Sequence, residues 1–379
     1  MKVAPLIAQE IPDLLEGTAI LGTGGGGERE WAEVMLDLLK EEAKQIEIVD
    51  PRDVPAGSIV VGVASIGGGV EKATRDRLVN RFGKLPDADE FFVQSIRLAE
   101  QTLARCLGKD IAAVYPFEIG CGNTILAAAM AALSDKPVIN GDCNGRAVPE
   151  IELCTLNIMR IPFCPMVIIT PWLETIVIEN VRDYSRAEEI CRSLSIAAGG
   201  SCLAVGSAVS GEQFRSCVTA NTISKAIDLG RTLRKARCEA KDPVHAALRQ
   251  LNGYLLFRGK VTSFSRATRG GFFWGEHRLT GTQDFAGRKL RIWYKNENLV
   301  SFLDGKPYVC GPDLLCVLDS STGEGLYNRE ADITVDRNVS VIGIKASELW
   351  RTRRGLEIFN PRHFDFDFDY APVESFFQR

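Results

Sequence analysis

Strand-like runs alternate with amphipathic helices over the first ~150 residues, and this alternation limits the chain to an α/β architecture. The runs are QIEIVD, SIVVGVASI, DIAAVYPFEIG and PVINGD. Between them lie helical patterns. In EREWAEVMLDLLKEEAK, Trp31, Val34, Met35, Leu38 and Leu39 share one face; FFVQSIRLAEQTLARCLG closes on Gly108. Asn123 is a candidate cap for TILAAAMAALS. Residues 4–16 read as a short helix, and Thr18–Leu21 (TAIL) as a short strand that delivers a glycine loop. The expected N-terminal unit, residues 1–165, is therefore an α/β domain with a mostly parallel sheet in a three-layer sandwich.

After Pro165 the character changes. MVIITP and LETIVIENV read as strands, and helices follow at about Ser185–Ala197 and Val218–Cys238. From Asn252 short strands dominate, separated by Gly, Asn and Asp at hairpin spacing, which is the pattern of a β-barrel or sandwich. Residues 166–379 are expected to form a mixed C-terminal domain with helices to about 251 and a β-barrel-like part from about 252. The tail HFDFDFDY alternates strictly and reads as a half-buried strand, with Phe364, Phe366 and Phe368 on one face.

Composition narrows the partners. The 379 residues are 45% hydrophobic and 25% charged, with a net charge of −4. With no long basic run, nucleic acid is not an expected partner. No apolar run reaches the roughly 18 residues needed to span a bilayer, so a membrane is not one either. Eleven cysteines occur without CxxC spacing, and no signal-peptide pattern opens the chain. The expectation is a cytoplasmic protein with buried, inert thiols, acting on a small molecule as a homo-oligomer.

Two polar stretches concentrate the chemistry. Gly24–Gly27 leave the backbone bare for four residues, and their N–H groups suit an anion or a carbonyl oxygen. Gly22–Gly27 also satisfies G-x-G-x-x-G, with Asp50 ending the next strand, so a nucleotide or dinucleotide site is one reading and a tightly packed structural loop another. The second stretch, GDCNGRAVPE, holds Asp142, Cys143, Asn144, Arg146 and Glu150. Glu118 and Asn123 in PFEIGCGN close the preceding strand, so the two stretches meet if these strands are neighbours. Carboxylates here suit general-base work, and an amide with an arginine suits orientation of a ring or carboxylate. Asp142 and Asn144 are also ordinary turn formers, and Arg146 and Glu150 are spaced to pair with each other. Of the three histidines, His277 beside Glu276 in an aromatic, glycine-rich segment is the most suggestive; His245 and His363 read as structural. No HxH or HExxH spacing is present. A divalent metal such as zinc would draw on Asp142, Cys143 and His277.

LGTGGGG, PFEIGCGN, GDCNGRAVPE, GGFFWGEHRLTG, GPDLLCVLDSSTGE and LEIFNPRHFDFDFDYAPVE together resemble the S-methyl thiohydantoin desulfurase family, in order and over nearly the whole chain. The resemblance implies an α/β N-terminal domain, a C-terminal domain containing a β-barrel, and a cytoplasmic protein. It also implies hydrolysis of an S-methylated thiohydantoin to a hydantoin with release of methanethiol. For that reaction class the expected roles are Asp142 or Glu118 as general base and Gly24–Gly27 N–H groups on the developing charge. Asn144 and Asn123 would orient the ring, Arg146 a substrate carboxylate, and His277 would protonate the leaving group. A water-activating metal is an alternative. A non-catalytic small-molecule binding protein would use the same pocket.

Overall fold

The computed structural model describes residues 1–378. An eight-stranded sheet forms the first half. Its spatial order is Val3–Pro5, Glu47–Val49, Val138–Ile139, Ile111–Pro116, Ile59–Gly67, Ser201–Ser210, Met166–Ile169 and Thr175–Ile178. Glu47–Val49, Val138–Ile139, Ile111–Pro116 and Ile59–Gly67 run parallel, so the sheet is mostly parallel within the N-terminal part. The strands after residue 165 extend the same sheet antiparallel.

Strand periodicity divides the core between two faces. Val61, Val63, Val114 and Val138 point into one cluster, while Val60, Ala113, Tyr115 and Ile139 point into the other. The first cluster is roofed by Cys121–Leu133, whose small alanines let it lie flat on the sheet. The second is covered by Tyr184–Ala197 and Gly211–Cys217.

Thr18–Leu21 is not a strand. It is the last turn of a helix, Ile11–Leu21. That helix lies against Thr222–Cys238 with the backbones in contact. A Cβ on Gly17 would fall 1.9 Å from Ala226 O, and one on Gly230 2.0 Å from Asp13 O. This tertiary packing outweighs the strand-like look of four apolar-leaning residues. The glycine run therefore joins two helices, Ile11–Leu21 and Arg29–Glu41.

The C-terminal sheet has seven antiparallel strands in the order Lys306–Cys310, Glu297–Leu303, Lys289–Lys295, Phe272–Gly281, Tyr254–Arg269, Asn338–Ile344 and Leu314–Asp319. It curls into a half-barrel around Leu256, Phe257, Ile292, Leu315 and Val341. Its two edge strands do not pair with each other, so the expected barrel is open. The tail is not a strand either: Pro361–Phe364 is a 3-10 turn, and the chain beyond is irregular up to a second 3-10 turn at Val373–Phe376. The alternation still has its reason, since Phe364, Phe366 and Phe368 pack toward Trp293 and Phe302 while Asp367 and Asp369 turn outward to Arg362. Among the described residues no helix is long and apolar enough to cross a membrane.

Candidate functional site

A cavity of about 700 Å³ opens at the carboxyl ends of Ile59–Gly67 and Ile111–Pro116. Its floor is Ala64–Gly69 with Phe117 and Glu118, one wall is Gly24–Gly27, and the half-barrel supplies Phe273, Asn296, Glu297 and Asn328 from the other side. Trp31, Phe91 and Phe92 make an apolar end. Binding at strand carboxyl ends is the usual place for ligands in open α/β sheets.

Each glycine of the run is needed because something crowds its α-carbon. A Cβ would meet Asn328 at 2.6 Å from Gly24 and Glu297 Oε1 at 2.0 Å from Gly25. It would meet the Gly120 α-carbon at 2.7 Å from Gly26 and the Gly122 α-carbon at 2.7 Å from Gly27. Gly24, Gly26 and Gly27 also have φ of +93°, +74° and +85°. The loop clips onto the start of Cys121–Leu133: Gly122 N donates to Gly27 O and Asn123 N to Gly26 O, each at 3.1 Å. Gly26 N donates to Glu297 Oε1 at 3.2 Å, and Gly25 N to Gly22 O. Among the described residues, the N–H groups of Gly24 and Gly27 have no protein acceptor. Without a preceding strand, and with a carboxyl group already on Gly26 N–H, the run lacks the context of a dinucleotide loop.

Glu118 sits inside this wall, 6% exposed. Its Oε1 accepts from Asn123 Nδ2 at 2.6 Å and its Oε2 from Val148 N at 2.7 Å. Burial pushes its carboxyl up to about 7, against the pull of those two donors and of Arg146. Asn123 does not cap its helix, which starts at Cys121. Its Oδ1 instead accepts from Ser65 N at 2.9 Å, so its amide is held with Nδ2 toward Glu118.

The GDCNGR stretch does adjoin PFEIGCGN. Cys143 N donates to Phe117 O at 3.2 Å and Asn144 Nδ2 to the same oxygen at 3.0 Å. Asp142 and Asn144, however, do not line the cavity. Asp142 is fully buried, and its Oδ1 accepts from Asn144 N and Gly145 N at 2.6 Å each. Burial raises its carboxyl to about 7. Cys143 is sealed and burial raises its thiol well above the ordinary value, so it is a poor nucleophile.

Arg146 is not free for a substrate. Its N–H groups go to Ala147 O, Pro312 O, Asp313 O, Thr23 Oγ1 and Asn298 O, which exhausts a guanidinium's donors. It staples the glycine loop and the GDCNGR turn to the half-barrel. Nor does it pair with Glu150, whose carboxylate instead meets Lys295 and His363. His277 is likewise removed from the cavity: it lies within strand Phe272–Gly281, 1% exposed, in a cluster with the Phe264 and Tyr294 rings. Asn328 Nδ2 donates to Asn296 O, so its Oδ1 faces the imidazole and His277 Nε2–H donates to it at 2.7 Å. Burial pushes the imidazole down to about 4, leaving it neutral at physiological pH. His277 thus holds Asn328, which lines the cavity, and is too far back to protonate a leaving group there.

Asp142, Cys143 and His277 do not converge as metal ligands. Among the described residues the group that does is Glu150, Glu152 and His363, in which Lys295 already neutralises Glu150. Several cavity residues gave no signal in the sequence. Glu297 and Asn296 lie in YKNENL, a polar run that reads as a solvent turn. Arg75, Arg192, Arg266 and Arg329 line the cavity too. Arg192 is bound by Glu188, and Arg329 by Glu28, Glu30 and Asp332. Arg75 and Arg266 have no carboxylate partner among the described residues; Arg266 stacks 3.7 Å over Phe273.

An α/β sheet docked to a half-barrel, with a glycine-walled cavity lined by both carboxyls and arginines between them, is an architecture suited to a small polar ligand. The chain belongs to the S-Me-THD-like family: that family's N-terminal domain matches residues 9–180 and its C-terminal domain residues 182–373. A search of curated proteins found no match. The fold is shared by a protein of Chromobacterium violaceum solved by X-ray crystallography, at a TM-score of 0.77 and 22% identity, covering 98% of this chain and 100% of that one.

Proposed function

We propose that the cavity hydrolyses a hydantoin-like five-membered ring, with S-methyl thiohydantoin as the substrate class and methanethiol as the leaving product. The carrying observation is Glu118. It is a carboxyl inside the cavity, oriented by Asn123 and Val148 N–H, and tuned to about 7, where a general base works best at neutral pH. Family membership supports the substrate class.

In this reading Glu118 takes a proton from water as the water oxygen adds to the ring carbon bearing sulfur. The N–H groups of Gly24 and Gly27 stabilise the charge that develops. Asn123 keeps Glu118 aimed, and Asp142 and Asn144 position Glu118 from behind through Phe117. Trp31, Phe91 and Phe92 receive the apolar part of the ligand. The carboxylate side arm assigned to Arg146 in the sequence reading falls to Arg266 and Arg75, the cavity arginines without carboxylate partners. A divalent ion such as zinc would draw on Glu150, Glu152 and His363, of which only Glu150 lines the cavity, and would have to displace Lys295 from Glu150.

The test is thiol release from S-methyl thiohydantoins with and without a carboxylate arm. Turnover that favours the carboxylate-bearing compound supports the proposal. Tight binding without thiol release would replace it with a ligand-binding protein, and neither binding nor release would remove hydantoins altogether.

A further inference from the structure

Glu297 comes from the half-barrel and reaches across to the glycine loop. It is 3% exposed and lines the same cavity as Glu118. Gly25 is glycine because the Glu297 carboxyl occupies the space a side chain would need. Glu297 Oε1 accepts from Gly26 N, while Oε2 is buried with no partner among the described residues. The link to Glu118 is short: Glu297 holds Gly26, Gly26 O accepts from Asn123 N, and Asn123 Nδ2 donates to Glu118.

Among the described residues no cation is paired with either carboxyl. Arg146, Arg192 and Lys295 face Glu297 or its neighbours, and Arg75, Arg266 and Arg329 line the cavity. Arg192 is already paired with Glu188, and Lys295 with Glu150. Arg266 stacks on Phe273 at the cavity wall. Arg146 is fully buried and hydrogen-bonds neither carboxyl, and among the described residues neither Glu118 nor Glu297 has an ion-pair partner. Two buried carboxyls in one site, neither of them ion-paired, favour retention of one proton.

We infer that Glu118 and Glu297 form a one-proton pair and that Glu297 is a second catalytic residue, the acid to Glu118's base. Burial and the nearness of Glu118 hold the Glu297 carboxyl well above the ordinary carboxylate range, consistent with its keeping the proton. The chemistry rests on the hydrolase reading, but the proton count does not. As water adds, Glu118 takes one of its protons. The ring C=N electron pair moves to nitrogen, which takes the proton of Glu297. On collapse, ionised Glu297 takes the remaining hydroxyl proton, the C=O forms and the C–S bond breaks. Sulfur leaves with the proton held by Glu118. The products are methanethiol and a hydantoin, and the pair returns to its starting protonation.

The proton is read by infrared difference spectroscopy in H₂O and D₂O, without substrate. Wild type minus Glu297→Gln at neutral pH is expected to contain the carbonyl stretch of a protonated carboxyl. In Glu118→Gln that band is expected to titrate away at lower pH than in wild type, because a neighbouring negative charge has been removed. Glu297→Gln is expected to lower thiol release by about 100-fold or more and to remove the high-pH limb of the rate profile. A difference spectrum without the band, or a band whose titration ignores Glu118→Gln, overturns the pair. If Glu297→Gln does not fold, the Glu118→Gln titration decides alone. Wild-type failure to release thiol, with the band present, would sink the hydrolase reading and leave the proton pair standing.

Discussion

Glu118→Gln should change how stability depends on pH in a direction opposite to that of most carboxylates. The ordinary carboxyl value is 4.5, and in the folded chain burial raises it to about 7. Between those values the unfolded chain releases its proton while the folded chain keeps it. The folded state therefore binds more protons, and its stability falls as pH rises. A tenfold difference in proton affinity is worth about 1.4 kcal/mol, so the loss attributable to Glu118 is about 3 kcal/mol across that window. Glutamine removes this contribution but brings its own cost. Its amide N–H₂ would face either Asn123 Nδ2, whose orientation is fixed by Ser65 N, or Val148 N–H, and donor against donor costs about 1–3 kcal/mol at any pH. Urea unfolding at about pH 5 and about pH 8 separates the two effects. The variant should be the less stable protein at the lower pH, and the gap should close or reverse by about 3 kcal/mol at the higher one. Equal pH slopes for wild type and variant would refute a buried, protonatable Glu118.

Gly26→Ala should destabilise by about 2–4 kcal/mol in the same unfolding assay, from positive φ and collision with the Gly120 backbone. Gly108→Ala, also at positive φ but left-handed helical and in open space, should cost only about 1 kcal/mol. Arg266→Ala should raise KM for a carboxylate-bearing substrate by about 10–100-fold with kcat little changed, since a charged hydrogen bond is worth about 1.5–3 kcal/mol. An equal KM rise for a substrate lacking the carboxylate would refute that role. His277→Phe should flatten the acid side of the stability profile. The folded imidazole is held down to about 4, so wild-type stability is full above the ordinary 6.5 and is lost as pH falls from there through 4, a loss the variant cannot show.

Much of the scaffold is legible in the residues themselves. Ile59–Gly67 reads as a buried strand because its apolar run is continuous and ends in glycines. The helix ending at Leu107 announces its stop through Gly108, which takes the left-handed conformation. Adjacency of PFEIGCGN and GDCNGR followed correctly from neighbouring parallel strands. What escaped depends on contacts distant in sequence. Thr18–Leu21 is helical because Gly17 and Gly230 let two helices touch. Glu297 looks like part of a hairpin tip and is buried by docking onto a loop some 270 residues earlier, as the Gly26–Glu297 bond with its separation of 271 shows. Arg146 looked like a ligand arginine, yet the carbonyls that consume it come from residues 298, 312 and 313. Polar residue type pointed to the right neighbourhood, while docking of the half-barrel decided which side chains line the cavity.

The account turns on the cavity wall, rather than the buried turn behind it, carrying the chemistry. The direct measurement is kcat for thiol release by Glu118→Gln and Asp142→Asn side by side, each checked for a native circular-dichroism spectrum. The expected result is a loss of at least about 100-fold for Glu118→Gln, the size typical of a general base, and a much smaller one for Asp142→Asn. Near-normal turnover by Glu118→Gln, with the large loss falling on Asp142→Asn, would contradict it.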